Sequence, residues 1–366
     1  MPLIGLRRIR TILTVVLLAL GPEVQATLLP ASTDSADVCH VIHVENERVR
    51  RFLHETTYTQ DSPSVIKEYL VASSERLDQP QPARIEIPES HASITFTVRE
   101  VGDTTTVFYT LTAPAGTKVL EMPNLIPGRM YTYDVKAADS ILVQGKVQTE
   151  GRLRMIKVNS IANVRDLGGW CTVDGHRVCY GRLFRGSELN GGHQVDPSDV
   201  DELRRLGIGA EVDLREALDL LPYDVHGAAL GSDAAYAFED MNRWDVDALT
   251  EDTAKWRHAF LFTLSQLQAG RGVYFHCVWG ADRTGCYAFL LEGLLGLSVD
   301  QLYKDYELTS FSASGERLKN GLDSKLEYIN SLGGSSLQEK FFNYWHRQVG
   351  ISASDLQTFI SLMLED

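Results

Sequence analysis

Positive charge is in short supply in this sequence. Its 35 Lys and Arg stand against 49 Asp and Glu, a formal net charge of −14 at neutral pH. An anionic body of this kind repels nucleic acid and anionic bilayers, so neither is expected as a partner, and an anionic ligand has to find a local positive pocket. Cysteine is scarce too: the five, Cys39, Cys171, Cys179, Cys277 and Cys286, show no zinc-ligand spacing. Near the start, the apolar run Ile12–Leu20 is too short to cross a bilayer. It follows Arg7, Arg8 and Arg10 and precedes the small-residue spacing at Val24, Gln25 and Ala26, the pattern of a cleavable signal peptide. Residues 1–26 are therefore expected to be removed on export, leaving a secreted or periplasmic protein with no stable membrane insertion. The competing reading is an uncleaved amphipathic anchor.

The remaining chain is long for one core and predicts two domains. Residues 27–84 are polar and mixed, with one helix expected around "VENERVRRFLHETTY" and no function assigned. Residues 85–151 alternate polar and apolar positions in "ARIEIPE", "SITFTVRE", "TTVFYTLTA", "MYTYDVKA" and "SILVQGKVQTEG", which predicts a small all-β antiparallel sandwich. Within it, "NLIPGRMYTYDV" resembles the corner of fibronectin type III domains, where a tyrosine, here Tyr131, hydrogen-bonds back to the chain. From 152 to 366 strands alternate with helices, the pattern of an α/β domain with its site at the carboxyl ends of the strands. In that part "TVDGHRV" reads as a hairpin turn flanked by Cys171 and Cys179, which are either joined across the strands or left as two thiols. Amphipathic helices close the chain, the last capped by Ser352 or Ser354.

Chemistry concentrates in "VYFHCVWGADRTGCYAFLLEGLLG". Val273–Phe275 reads as a short buried strand, Gly280 permits a tight turn, and Gly285–Leu295 has the apolar density of a buried helix. In a strand–loop–helix unit the loop amides and the helix N-terminus converge and favour an anion. A thiol there, beside a guanidinium, is drawn from roughly 8.5 to between about 3.5 and 7.5 and becomes a nucleophilic thiolate. Cys277 opens the loop and Arg283, able to bind two phosphate oxygens at once, closes it. Cys286 is expected to pack inside the helix, with a protective disulfide to Cys277 as the alternative.

Cys277, five residues, Arg283 and Thr284, preceded by His276, resembles the signature of the cysteine-dependent protein tyrosine phosphatases. The string "HCVWGADRTG" looks like the bacterial and fungal branch in which an aspartate precedes the arginine. The upstream blocks "NVRDLGG", "GRLFRGSEL" and "LGIGAEVDLRE" and the downstream "DYELTS" fall in that branch's order. The resemblance covers about residues 155–315 and implies an α/β phosphatase fold and hydrolysis of a phosphorylated protein or small phosphate ester without cofactor or metal. In it Cys277 is the nucleophile, and the amides of Val278, Trp279, Gly280 and Ala281 cradle the phosphate with Arg283. Thr284 assists the departing thiolate or only caps the helix. Asp282 is the implied proton donor, with the segment carrying Asp240, Asp245 and Asp247 as the alternative. His276 orders the loop. Asn163, Arg165, Asp166 and Arg185 support its wall, while Asp213 and Arg215 either shape the substrate site or form a strand-end ion pair. Tyr236 and Trp244 line an aromatic slot or belong to the core. Where several phosphoinositide-acting relatives carry lysine, this chain has Ala281, which removes a cation expected at the rim and points to phosphotyrosine.

Overall fold

The computed structural model describes residues 28–29, 39–71, 76–102, 107–221, 223, 225 and 227–365. The signal-peptide expectation falls on residues 1–26, outside the described residues.

Alternating strands in the first half build two sheets around one core. They are β1 (Leu28–Leu29), β2 (Cys39–His43), β3 (Ala83–Glu86), β4 (Ile94–Glu100), β5 (Val107–Ala113), β6 (Val119–Met122), β7 (Met130–Ala137) and β8 (Ser140–Glu150). One sheet has the order β1-β3-β6 and the other β2-β8-β7-β4-β5. Ile85, Leu120 and Met122 from the first meet Phe96, Val98, Val135 and Val147 from the second in a single buried cluster. Tyr131 accepts a hydrogen bond from the Ile126 amide at 2.9 Å, fixing the corner before β7. Three strands, β1, β2 and β6, depart from the sequence reading. β6 is short and lies in no quoted run, and β2, whose Val41 and Ile42 stand between His40 and His43, has no apolar run to announce it. β2 nevertheless joins the sheet, parallel to β8, as β1 does to β3, so the pairing is not wholly antiparallel.

Between β2 and β3 the chain leaves this core for the next one. Helix α1 (Glu47–Glu55) starts where the Asn46 side chain accepts from the Arg48 amide. Its buried face, Val49, Phe52 and Leu53, joins the core of the second half together with Tyr58, Ile66 and Leu77. Polar ties fasten it there: the Tyr58 amide donates to Asp300 (2.6 Å), Lys304 to the Leu53 carbonyl (3.0 Å) and Lys319 to the Gln60 carbonyl (2.8 Å). We call residues 47–71 and 76–78 the strap.

The second half is an α/β unit. Its strands are β9 (Arg165–Asp166), β10 (Leu183–Gly186), β11 (Ile208–Asp213), β12 (Ala235–Phe238) and β13 (Gly272–His276), in the order β12-β11-β13-β10-β9. All adjacent pairs are parallel except β9 with β10. Around them run α2 (Pro197–Arg205), α3 (Ala217–Leu220), α4 (Asp247–Glu251), α5 (Thr253–Gln268), α6 (Asp282–Leu295), α7 (Val299–Leu308), α8 (Asp323–Ser331), α9 (Leu337–Asn343) and α10 (Ala353–Met363). Central strand β13 is buried along its whole length, which explains its unbroken apolar run. α6 is buried from Thr284 to Leu295 and accordingly carries apolar residues on every side, with Glu292 the charged side chain it takes into the interior. It stops at Gly296, whose φ of 93° is the left-handed conformation that ends helices. Ser352 caps α10 by accepting from the Asp355 amide.

The turn between Cys171 and Cys179 forms as expected, with Gly175 at φ 92°. Its register pairs Cys171 with Arg177, so the two cysteines are not cross-strand partners, and both are free thiols. Of the two readings, separate thiols is the one the register gives. Cys286 packs within α6, where burial pushes its thiol up to about 11.

Candidate active site

The loop from Cys277 to Arg283 joins the end of β13 to the start of α6. Gly280 turns it at φ 63°, and a Cβ there would overlap the Gly186 backbone, so close approach as well as conformation requires glycine. Three successive carbonyls are held from outside. Val278 O accepts the Glu188 amide at 3.1 Å, Trp279 O the Ser314 hydroxyl at 2.7 Å, and Gly280 O accepts Asn163 Nδ2 at 2.8 Å and Arg185 Nη2 at 3.0 Å. A trans peptide is planar with C=O and N–H antiparallel, so pinning these oxygens outward turns the amides of Trp279, Gly280 and Ala281 to the opposite, concave side. The arrangement is a row of fixed donors.

Cys277 is buried at the base of the loop. Burial pushes its thiol up, but the Arg283 charge, the Thr284 hydroxyl and the amides of Thr284 and Ala281 outweigh that, and the net direction is down. The Thr284 hydroxyl forms no hydrogen bond of normal geometry among the described residues, so it acts on the sulfur as a nearby dipole, and it caps no helix end. Arg283 spends Nη1 on Asp219 (2.8 Å) and on the Met241 carbonyl (3.1 Å). Its Nε and Nη2 donate to no protein acceptor among the described residues, which leaves the edge suited to two phosphate oxygens.

His276 lies behind the loop, fully buried, with Nε2 at 3.0 Å from Glu211 and Nδ1 at 3.3 Å from the Cys277 carbonyl. Burial lowers its affinity for a proton, and Asp213 and Glu211 raise it by more. Such a ring is held in place and orders the loop. Asp213 and Arg215 form a buried ion pair at 2.6 Å, and Arg215 also donates to Glu188 and Asn190. Tyr236 donates its hydroxyl to Asp213 at 2.9 Å. Both charges of "DLR" are therefore committed to each other at the strand end.

On the opposite wall Asp305 accepts from Arg165 (2.9 Å) and Arg185 (2.6 Å), and Asn163 bridges to Gly280 O. Burial and the neighbouring Arg165 lower the Arg185 guanidinium, and Asp305 and Glu292 act to restore it. Asp166 serves elsewhere, taking Arg154 and the amides of Gly168 and Gly181.

At the mouth, Asp282 is clamped by Arg317, with Nε on Oδ1 and Nη2 on Oδ2, both at 2.7 Å, and Tyr306 donates to Oδ1 at 3.2 Å. Ala281 differs from expectation: its side chain is fully buried, not at the rim, so a lysine there would have to displace packed atoms before reaching solvent. An aromatic side chain stands on the loop instead: Trp279 is 46% exposed and packs at near right angles to the His193 ring, with centroids 4.5 Å apart. Trp244 is exposed too, so it is no core residue. Of the alternative aspartates, Asp240 accepts from the Ala217 amide, which ties its segment to α3. Sequence reasoning missed Asp219, Glu188, Asp305, Ser314 and Arg317. Asp305 and Glu188 lay within blocks already quoted, whereas Arg317 lies in "GERLKNGLDSKLEYINSLGG", expected to be an amphipathic helix, of which residues 315–318 are loop and helix begins only at Lys319.

Residues 156–365 match the tyrosine phosphatase family, and the chain belongs to it. A protein of Cupriavidus necator described as "Putative tyrosine-protein phosphatase H16_A0669" is 29% identical over 167 residues, which are 40% of this chain and 60% of that protein. Among solved structures, TpbA of P. aeruginosa overlays with a TM-score of 0.31 at 16% identity, covering 46% of this chain and 91% of TpbA. A cysteine-to-serine form of TpbA in complex with pTyr overlays with the same TM-score at 15% identity, covering 46% of this chain and 90% of that one.

Proposed function

We propose that this protein is an exported phosphatase that hydrolyses phosphate monoesters, phosphotyrosine first among them, through a phosphocysteine on Cys277. The observation that carries this reading is a buried thiol, drawn towards thiolate, facing a guanidinium whose Nε–Nη2 edge remains available. The Cys277 thiolate attacks phosphorus while the loop amides and Arg283 hold the equatorial oxygens, so charge developing in the transition state meets donors already oriented. The bond from phosphorus to the ester oxygen breaks as Asp282 gives that oxygen a proton. Water then cleaves the phosphocysteine, releasing inorganic phosphate and regenerating the thiolate, with Thr284 stabilising the sulfur.

The partner is a phosphorylated protein or a small phosphate ester. Trp279 at the rim suits an aryl group. A second reading, inositol phosphates or phosphoinositides, draws on Arg317 as a rim cation. Its Nε and Nη2 are taken by Asp282 and its Nη1 by the Glu316 carbonyl, which favours the aryl ester. The N-terminal sheets are proposed as a fibronectin type III-like spacer, and a catalytically idle phosphate-binding protein is the remaining alternative.

Turnover of a phosphotyrosine peptide, a phosphoserine peptide and inositol phosphates, measured side by side, tests the substrate. Cys277→Ser should abolish turnover of all of them and keep orthovanadate or phosphate binding. Substantial activity in that variant would sink the covalent mechanism.

A further inference from the structure

The strap lies outside the family match, yet one of its side chains reaches the wall of the phosphate loop. Asp78 is buried, and its Oδ2 accepts the Asn163 amide at 2.9 Å. Arg76 holds that carboxylate at 2.9 Å and anchors the strap by donating to the carbonyls of Val158, Asn159 and Ile161. Asn163 sits at φ 60°, a left-handed conformation that costs a non-glycine residue roughly 1–2 kcal/mol and persists only where its surroundings over-determine it. Four groups do so: Asp78 grips its amide, Gly280 O and the Thr309 hydroxyl receive its side-chain nitrogen, and Arg165 donates to its side-chain oxygen. Because the Gly280–Ala281 peptide is planar, the position of that oxygen sets the direction of the Ala281 amide beside the Cys277 sulfur.

We propose that Asp78 is a positioning residue for catalysis, acting through Asn163 and the Gly280 carbonyl to aim the Ala281 amide into the anion cradle. The strap is then part of the active-site architecture and not only a cover for its core. Arg185, which also donates to Gly280 O, keeps the loop from collapsing when Asp78 is lost. The expected effect is therefore partial.

The inference rests on the phosphocysteine reading, and the test separates the two. In the full-length protein, Asp78→Ala should weaken orthovanadate inhibition and lower kcat, each roughly tenfold, the scale of one lost buried hydrogen bond. It should also move the midpoint of Cys277 alkylation by iodoacetamide, followed on the Cys277 peptide, to higher pH. Asp199→Ala supplies the structural control: Asp199 accepts the amides of Asn159 and Ser160 in the same wall but leads to no loop carbonyl. It should lower Tm while leaving the alkylation midpoint in place. If Asp78→Ala folds poorly, Asn163→Gly keeps the backbone conformation and removes the side-chain bond to Gly280 together with those to Arg165 and Thr309, and it should give the same alkylation shift. An unchanged midpoint and vanadate affinity in Asp78→Ala, or in Asn163→Gly where the first does not fold, overturns the proposal. So does an equal shift in Asp199→Ala. A wild-type protein without turnover on any monoester would instead overturn the proposed function.

Discussion

At the residue scale the sharpest question concerns Asp282. Its two oxygens both face the Arg317 guanidinium, so donating a proton to a leaving group requires Arg317 to release one of them. A phosphate bound beside Arg283 brings negative charge to the same rim and offers Arg317 another acceptor. Under that reading Asp282→Asn slows phosphotyrosine hydrolysis by about 10²–10⁴, the usual worth of general acid catalysis. An aryl ester with a strongly acidic phenol should be nearly spared, and the basic limb of the pH profile should flatten. Equal losses on both substrates with the limb intact would return the role to Asp240 and its segment. Cys277, Arg283 and Asp282 were legible in the sequence because they are close along it. Arg317 and Asp219 were not, since each meets the loop only through tertiary folding, 35 and 64 residues from its partner. Ala281 shows the limit from the other side: the resemblance placed it at a rim, and packing buried it.

At the scale of elements, the strand–loop–helix unit was readable from the apolar run of β13 and the density of α6. What fixes the loop between them was not, because its three carbonyls are anchored by Glu188, Ser314, Asn163 and Arg185, from three different parts of the chain. Gly280→Ala tests how tight that fit is. The left-handed backbone alone costs roughly 1–2 kcal/mol. Overlap with the Gly186 carbonyl adds to that, and either the loop or β10 must move. Thermal unfolding should show a Tm several degrees lower, and phosphotyrosine turnover should fall by much more than that loss of stability explains. A variant of wild-type activity would mean that the loop has room the structure does not give it. β2 and β6 stayed hidden for a local reason, since short strands of mixed polarity draw their pairing from neighbours and not from their own pattern.

For the whole molecule, acidity and activity have to coexist. The formal charge of −14 repels anionic substrates at long range, so phosphate affinity is left to the loop amides and Arg283 at short range. The proposed export would bear on the same balance, because removal of residues 1–26, with three arginines and Glu23, would make the protein more acidic. N-terminal sequencing of protein recovered outside the cytoplasm should begin near Thr27. Finding Met1 on that material would refute cleavage.

The chain crosses between its two cores more than once: β2 belongs to the sheets, the strap to the α/β unit, and β3 to the sheets again. Tyr58 in the strap donates to Glu307, 249 residues later. The apolar face of α1, with Phe52 at its centre, therefore has no final cover until α7 and the segment after it exist. Contacts of such sequence separation slow folding and leave sticky surface exposed in the meantime. The sheet core, from Ile42 to Val147, can close on its own, but the α/β core cannot, and a newly synthesised chain has to hold α1 in waiting until α7 and the segment after it have been delivered.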